Sequence, residues 1–473
     1  VMKAPELAAP LSASRLRRLT RPNALLSVAI LTIVALAPVP AASNRPVFWA
    51  LAALVVGLVG IGYSAMLLGR SAAPRLALRQ FPLQVGIAVV IVAFLLMQAL
   101  PLTWMLDAIG AHFLLGGLES PAISIASGAT LLVLLQFATY AVFYWLVLQA
   151  TSNRDRALWV INAVLYVVTA HAAYALLALT QLGDPMLLFP KWAYQGNATG
   201  TFVNGNSFAT FLAMGIVVGL ALLLRKGEMQ LNNYRRGSPF GTGGHLSALI
   251  IIFVCLLILA ATLVATQSRL GTFAAATGSV AVFVAYLSRH RGRGAATLMA
   301  VGIVAVLVAL GALALFGGAL LERLGSLEAA ADVRGQLYAQ ILEMIGTRPF
   351  VGFGAGAFEA AYPAFHRLPV SADVNWDKAH STYLALWSEL GLVVGSLAML
   401  LIGWMGFRLL GVARRRDRDW ASALAGFGVI IVAATHSVAD FSLEIEANVL
   451  LFLAIVGIGM AGAIGSKKGG GRT

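Results

Sequence analysis

The sequence has one cysteine, Cys255, and it sits inside an apolar run, so a disulfide framework and a thiolate metal site are both excluded. Charge is scarce: 11% of the 473 residues are Asp, Glu, Lys or Arg, where a soluble protein has roughly a quarter. No polar segment carries His or Cys at zinc-site spacing. The one Asp-x-Asp, Asp417-Arg-Asp419, stands among arginines, which argues against a metal-bound sugar nucleotide. No repeat of fixed period is present, and no low-complexity segment beyond the glycines at 469–471. Acidic residues are outnumbered 19 to 33, yet the basic surplus calls for no nucleic acid. Clusters such as Arg414-Arg-Arg-Asp-Arg418 flank apolar runs, where they set topology beside anionic lipid.

What is abundant is apolar surface: 60% of residues, with a mean hydropathy of +0.86. Runs near the ~20 residues a membrane helix needs recur along the chain. They predict an all-α polytopic membrane protein with twelve spans, at 23–40, 47–69, 82–100, 125–149, 158–181, 206–224, 246–266, 272–288, 295–317, 381–407, 420–438 and 447–465. The first is too long, and lacks a cleavage site, to read as a removed signal peptide. Counting charges by side puts 25 of the 33 basic residues with the two termini and leaves 8 opposite; acidic residues divide 5 and 14 the other way. The positive-inside rule therefore predicts cytoplasmic termini. The expected organisation is a basic N-terminus (1–22), spans one to nine (23–317), a large outer loop (318–380), spans ten to twelve (381–465) and a short tail (466–473).

Three outer loops are long, 101–124, 182–205 and 318–380, and long ordered loops are usually functional. In the last, Val333, Leu337, Ile341, Met344 and Ile345 recur at helical spacing and predict an amphipathic helix over 327–346. Arg348-Pro349 ends it, the glycines at 352–356 predict a tight turn, and a second short helix is expected over 357–366. Those glycines follow no strand, so they are not a nucleotide fingerprint.

The eight outer-side basic residues are Arg45, Lys191, Arg269, Arg323, Arg334, Arg348, Arg367 and Lys378. Each has a bland reading, as a snorkelling or solvated side chain. Arginine's planar fork also suits phosphate, and two or three converging on one pocket would neutralise a pyrophosphate. His380 opens span ten at the outer face, either as a packing or capping histidine or as a general base with a pKa near neutrality. Tyr383 and Trp387 follow it at i+3 and i+7, and would shape the site from the same helical face. Glu389, deeper in that span, needs hydrogen bonds within the bundle, or serves as a base. His436 and Asp440, four apart, read as an ion pair on one helical face. Asn206 reads as the N-cap of span six, and Asn204 as a residue that contacts substrate.

Five segments together resemble the O-antigen ligase/polymerase superfamily of bacterial envelope glycosyltransferases. They are 200–210 (Gly-Thr-Phe-Val-Asn-Gly-Asn-Ser-Phe-Ala-Thr), Ser268-Arg-Leu-Gly271, Arg334 followed by 348–354, Ala379-His-Ser-Thr-Tyr-Leu384 with Glu389-Leu-Gly391, and His436-Ser-Val-Ala-Asp-Phe441 with Ala447-Asn448. The resemblance covers about 195–450, and the last segment is similar to the family's exopolysaccharide-polymerase branch. It implies transfer of a glycan from an undecaprenyl-pyrophosphate carrier to an acceptor hydroxyl, with inversion and with neither metal nor cofactor. Arg269 and Arg334 would hold the pyrophosphate, Lys191 and Arg348 would add donor contacts, and His380 would activate the acceptor. Two positions depart from the family pattern: Ser381 stands where an asparagine usually follows the histidine, and Asn197 where many members have arginine. The implied location is the bacterial inner membrane with the site facing the periplasm, and the implied partners are the lipid-linked donor, a glycan or lipid A-core acceptor, and proteins of glycan export or chain-length control. A polymerase is the leading expectation and a ligase the alternative. A secondary transporter is the reading from another class, weakened by the missing repeat.

Overall fold

The computed structural model describes residues 22–115, 121–235, 244–289, 324–373, 375–415 and 420–465. They form fourteen α-helices, with short 3-10 turns between some of them and no named strand. In chain order these are α1 (Pro22–Leu36), α2 (Pro46–Leu68), α3 (Pro82–Ala99), the short α4 (Thr103–Ala108), α5 (Ser127–Thr151), α6 (Arg154–Gln181), α7 (Gly205–Arg235), α8 (Gly244–Ala265), α9 (Arg269–Leu287), α10 (Leu324–Thr347), the one-turn α11 (Phe358–Ala361), α12 (Thr382–Ala413), α13 (Trp420–His436) and α14 (Glu446–Gly465).

Nine of these helices are long and apolar enough to cross a membrane, and α1 and α13 are shorter apolar helices. The chain is a multi-pass membrane protein. The expected ninth span, 295–317, lies outside the described residues, as do Arg323 and the Asp417–Asp419 cluster.

Helices α7 and α14 occupy the centre, with 78% and 83% of their apolar windows buried, while α2 at 17% presents most of its surface outwards. Around that centre α9 and α13 pack on α7, and α5 and α13 on α14. The close approach of α7, α9 and α13 is made by small residues. A methyl group on Gly278 would lie 2.4 Å from Val432, and one on Gly428 2.4 Å from Val282, with Val217 of α7 beside both. Lipid gives no hydrophobic drive for helices to associate, so such close backbone packing supplies the attraction.

Helix α10 is the amphipathic loop helix expected over 327–346. Its Leu337, Ile341, Met344 and Ile345 pack against Phe353, Phe358 and Tyr362 and against the start of α12. Arg348 and Pro349 follow it, and the chain then turns inward beside α12. That helix is broken at Gly391, whose φ of +72° only glycine adopts cheaply. The break frees backbone groups, and the 349–354 segment takes them up: Phe353 donates to Ser388 O (2.9 Å), Gly354 to Glu389 O (3.1 Å), and Leu392 donates to Pro349 O (2.7 Å). Gln98, at the end of α3 and fully buried, closes the arrangement. Its amide donates to Val351 O (2.7 Å) and Glu389 O (2.8 Å) and accepts from Ala355 N (3.2 Å). Irregular backbone at this depth is tolerable only when each polar group finds such a partner.

Candidate functional site

The starts of α7, α9, α12 and α14 and the ends of α6, α8 and α13 meet at one end of the bundle, with α10 packed against α12 there. His380 lies at this end, but not on a helix. Helix α12 begins at Thr382, with Ser381 as its N-cap accepting from Leu384 N. His380 precedes the cap with φ +51°, a left-handed conformation that non-glycine residues seldom adopt. This corrects the expectation that His380, Tyr383 and Trp387 share a helical face: His380 sits two residues before the first turn. The Tyr383 hydroxyl donates to Ala434 O (2.8 Å), and the Trp387 indole bridges the Gly391 break to Ser396 Oγ (3.1 Å).

The unusual backbone at His380 is held from both sides. Tyr338, one turn after Arg334 on α10, donates its hydroxyl to His380 O (2.8 Å). Thr382 donates its amide to Ser437 O (3.1 Å) and its hydroxyl to Asp440 O (3.2 Å). The half-buried imidazole is met edge-on by Trp376 (5.6 Å between centroids) and Phe441 (5.2 Å). Burial lowers its pKa below the usual value, and the Arg334 guanidinium adds to the lowering. The carboxylates of Asp440, Asp377 and Glu444 oppose it. The net result is a neutral imidazole at pH 7, the form that accepts a proton.

Asp440 is the buried anion of the cluster, 2% exposed. Its carboxylate accepts from Ser442 Oγ and lies 3.4 Å from His436 Nδ1. The expected His436–Asp440 pair is therefore present, although α13 ends at His436 and Asp440 belongs to the turn that follows. Ser442 reaches Ser207 of α7 (3.5 Å), and Asn448 of α14 donates to Ser207 O (2.9 Å) and Ser442 O (3.0 Å). Next to Ser207, Asn206 accepts from Ser268 Oγ (2.8 Å), which itself caps α9 through Gly271 N. Asn204, not Asn206, caps α7: its carbonyl oxygen accepts from Asn206 N (2.8 Å). The capping role expected of Asn206 thus falls to Asn204, because the helix starts at Gly205, and Asn206 instead ties α7 to the Ser268 cap of α9.

The outer-side cations separate into two groups. Lys191 is held by Asp184 (2.7 Å) and Asn197 O (2.6 Å). Lys378 pairs with Glu444 (2.9 Å), which raises its pKa well above the ordinary value, and Arg367 pairs with Glu343. Arg348 is 1% exposed, donates to Ile123 O (3.0 Å) and lies over the Phe353 ring, clamping the 121–125 segment to the glycine turn. Arg269, the first residue of α9, and Arg334, exposed on α10, have no acidic partner among the described residues; nor has Arg45 at the start of peripheral α2. Arg334 is close enough to act electrostatically on His380, Tyr338 and Tyr194, so these groups share one neighbourhood. Arg269 is not brought to His380 by any such interaction among the described residues; it adjoins Ser268, whose bond to Asn206 lies next to the Ser207–Ser442–Asp440 chain. Glu389 faces the backbone amides of Gly356 and Phe358, two turns away from His380 along the chain.

Sequence reasoning missed Tyr338, Tyr194, Trp376 and Phe441. Tyr338 carried a readable signal, four residues beyond Arg334 on an amphipathic helix, and Phe441 lay within the family-like 436–441 segment. No group of three or more His, Cys, Asp or Glu side chains positioned for a metal occurs among the described residues.

Residues 253–400 match the protein-family model described as O-Antigen ligase. The matched segment runs from α8 into α12 and contains Arg269, Arg334, Arg348, His380 and Glu389; Lys191, Asn204 and Asp440 lie outside it. No curated protein matches the chain.

Proposed function

We propose that this chain, a member of the O-antigen ligase/polymerase superfamily through its 253–400 segment, moves a glycan from an undecaprenyl-pyrophosphate carrier to an acceptor hydroxyl. The observation that carries the reading is the electrostatic sorting at the His380 end: Arg334 stands beside the histidine with no acidic partner among the described residues, while four neighbouring cations are engaged. A pyrophosphate leaves readily when its developing charge is stabilised, and fixed cations supply that stabilisation without reorganising.

In this mechanism Arg334 and Arg269 take the pyrophosphate oxygens. The neutral His380 accepts the proton of the attacking acceptor hydroxyl as the glycosidic bond to the carrier breaks and the bond to the acceptor forms at the opposite face of the anomeric carbon. The proton ends on the imidazole and the electron pair on the carrier pyrophosphate. Asp440 stabilises the imidazolium as it forms, and Tyr338 fixes the backbone that presents it. Lys191 acts through the 184–197 loop that it ties together, and Arg348 through the turn that it clamps. The bilayer accepts the carrier's tail, and the site faces the periplasm.

The leading reading is a polymerase that joins lipid-linked repeat units, supported by the similarity of 436–448 to the polymerase branch. A ligase is the second reading, favoured by the description of the matching family model. Purified protein incubated with undecaprenyl-pyrophosphate oligosaccharide, with and without lipid A-core, separates them. A product ladder without lipid A-core supports the polymerase, and product only with lipid A-core supports the ligase. No product from folded protein and a donor matched to its host overturns glycan transfer and leaves a transporter.

A further inference from the structure

A second polar site lies at the opposite end of the bundle from His380, and the glycan-transfer reading makes no use of it. A cavity of about 470 Å3 opens there between the start of α1, the end of α2, the loop after α2 and the start of α6. Three arginines line it, Arg70, Arg75 and Arg156, and no acidic residue does so among the described residues.

The frame around this cavity is built rather than incidental. Tyr63, 1% exposed, donates its hydroxyl to Asn23 Oδ1 (3.0 Å), which fixes the start of α1 against α2. The loop that carries Arg70 and Arg75 is locked by a reciprocal pair of hydrogen bonds. Leu76 N donates to Gln149 Oε1 (3.1 Å) and Gln149 Nε2 to Leu76 O (2.8 Å), both residues being buried. Arg156 is oriented by the bond from its Nε to Ala150 O (2.8 Å). Pro22 and Asn23, in the first described turn of α1, border the same space. Guanidiniums gathered around one concavity build a positive potential there, which draws an anion in. Forked guanidiniums bind an oxyanion such as phosphate bidentately, which a spherical halide cannot match.

We propose that this cavity binds a phosphate-bearing anion, either the headgroup of an anionic phospholipid or free phosphate, at a site separate from the reaction centre. Basic pockets between membrane helices suit lipid headgroups in particular.

The test uses the full-length protein in two arms. In the first, protein in phosphatidylcholine nanodiscs containing a photo-crosslinkable phosphatidylglycerol is irradiated and the adducts are mapped by mass spectrometry. Adducts concentrated on 63–75 and 150–156 support a lipid headgroup. The double variant R70Q/R75Q should lower that labelling roughly 25-fold, from about fivefold per arginine near the bilayer surface, while R367Q, at the other end of the bundle, should not. In the second arm, inorganic phosphate is titrated calorimetrically into protein in detergent. Binding there that R70Q/R75Q abolishes, without lipid adducts at the cavity, identifies free phosphate. R70K/R75K keeps the charge and should retain part of the binding. Should R70Q/R75Q not fold, the wild-type adduct map still decides the lipid arm and the lysine variant the phosphate arm. Adducts spread over the whole surface together with no phosphate heat, or binding unchanged in R70Q/R75Q, overturns the proposal.

Discussion

Replacing Gln98 with leucine tests whether the inward turn at 349–356 depends on one buried amide. Gln98→Leu keeps the volume and removes three hydrogen bonds. Glu389 O keeps its bond from Gly354 N, so two groups are orphaned, Val351 O and Ala355 N. Each buried unsatisfied group costs about 1–3 kcal/mol, and the added apolar surface of leucine returns roughly 1–2 kcal/mol. At the middle of these ranges the expected net loss is about 2.5 kcal/mol. The single buried Cys255, on α8 far along the chain from the turn, is a natural reporter: a thiol-reactive dye labels it only when the bundle opens. The temperature of half-labelling should fall by several degrees, at the lower end of the ~2–4 °C per kcal/mol seen in mid-sized proteins. Glycan transfer should fall as well, because the turn packs under the start of α12 where His380 is held. A variant whose labelling temperature matches wild type would refute the argument, since it would mean that the turn's backbone groups are satisfied without Gln98.

The remaining predictions concern the cations and the histidine. His380→Ala should reduce kcat roughly 10²–10⁴-fold with normal protein abundance, the loss expected for a general base; full-length polymer from this variant would remove the base assignment. The acid limb of the pH profile should lie below the ordinary histidine value, because burial lowers the His380 pKa and protonated imidazole cannot accept a proton. Arg334→Gln removes a cation that lowers this pKa, so it should move that limb to higher pH, and Asp440→Asn should move it to lower pH, in kcat/KM measured across pH 4–8 (about two units either side of neutral histidine titration). Lys191→Met should destabilise by about 3–5 kcal/mol, as a nearly buried pair losing one member does, yet leave transfer per folded molecule close to wild type if the lysine acts only on its loop. Gly391→Ala places a methyl group 2.4 Å from Phe350 O at a φ of +72°, and should yield no folded protein by size-exclusion chromatography.

The helices were legible because apolar runs of the required length are written locally, and so was α10, from the spacing of Leu337, Ile341 and Met344. The start of α12 carried a local signal that the expectation of His380 on the helical face passed over. Ser381 is a good N-cap, and reading it as one places His380 outside the helix. What could not be read was partnership across the chain. Gln98 and Glu389 are 291 positions apart and bond through a carbonyl freed by the Gly391 break, and nothing local to either residue announces that bond. The same holds for Lys378 and Glu444, which meet only because the 436–444 turn folds over the start of α12. The shift of the cap from Asn206 to Asn204 shows the limit of local capping rules. Two eligible residues two apart leave the helix start undetermined until Ser268 claims one of them.

The sorting of cations at the His380 end also has an energetic side. By the sequence's own charge distribution the outer segments hold 14 acidic and 8 basic residues, so acids are in excess there. A random arrangement with that surplus would leave few cations unpaired. Lys191, Lys378 and Arg367 follow this expectation, and each has a carboxylate within reach. Arg269 and Arg334 do not, and Arg334 stands near Asp440 without bonding to it, because Asp440 is committed to Ser442 and His436. The nearest buried anion is thus kept from the arginine by partners of its own. The Ser442 hydroxyl bond and the nearby His436 ring face the carboxylate, Asn448 steadies Ser442 through its carbonyl, and the guanidinium is left unneutralised. An arginine neutralised by Asp440 would present no net charge to a pyrophosphate, whereas this one keeps its full charge for an incoming anion.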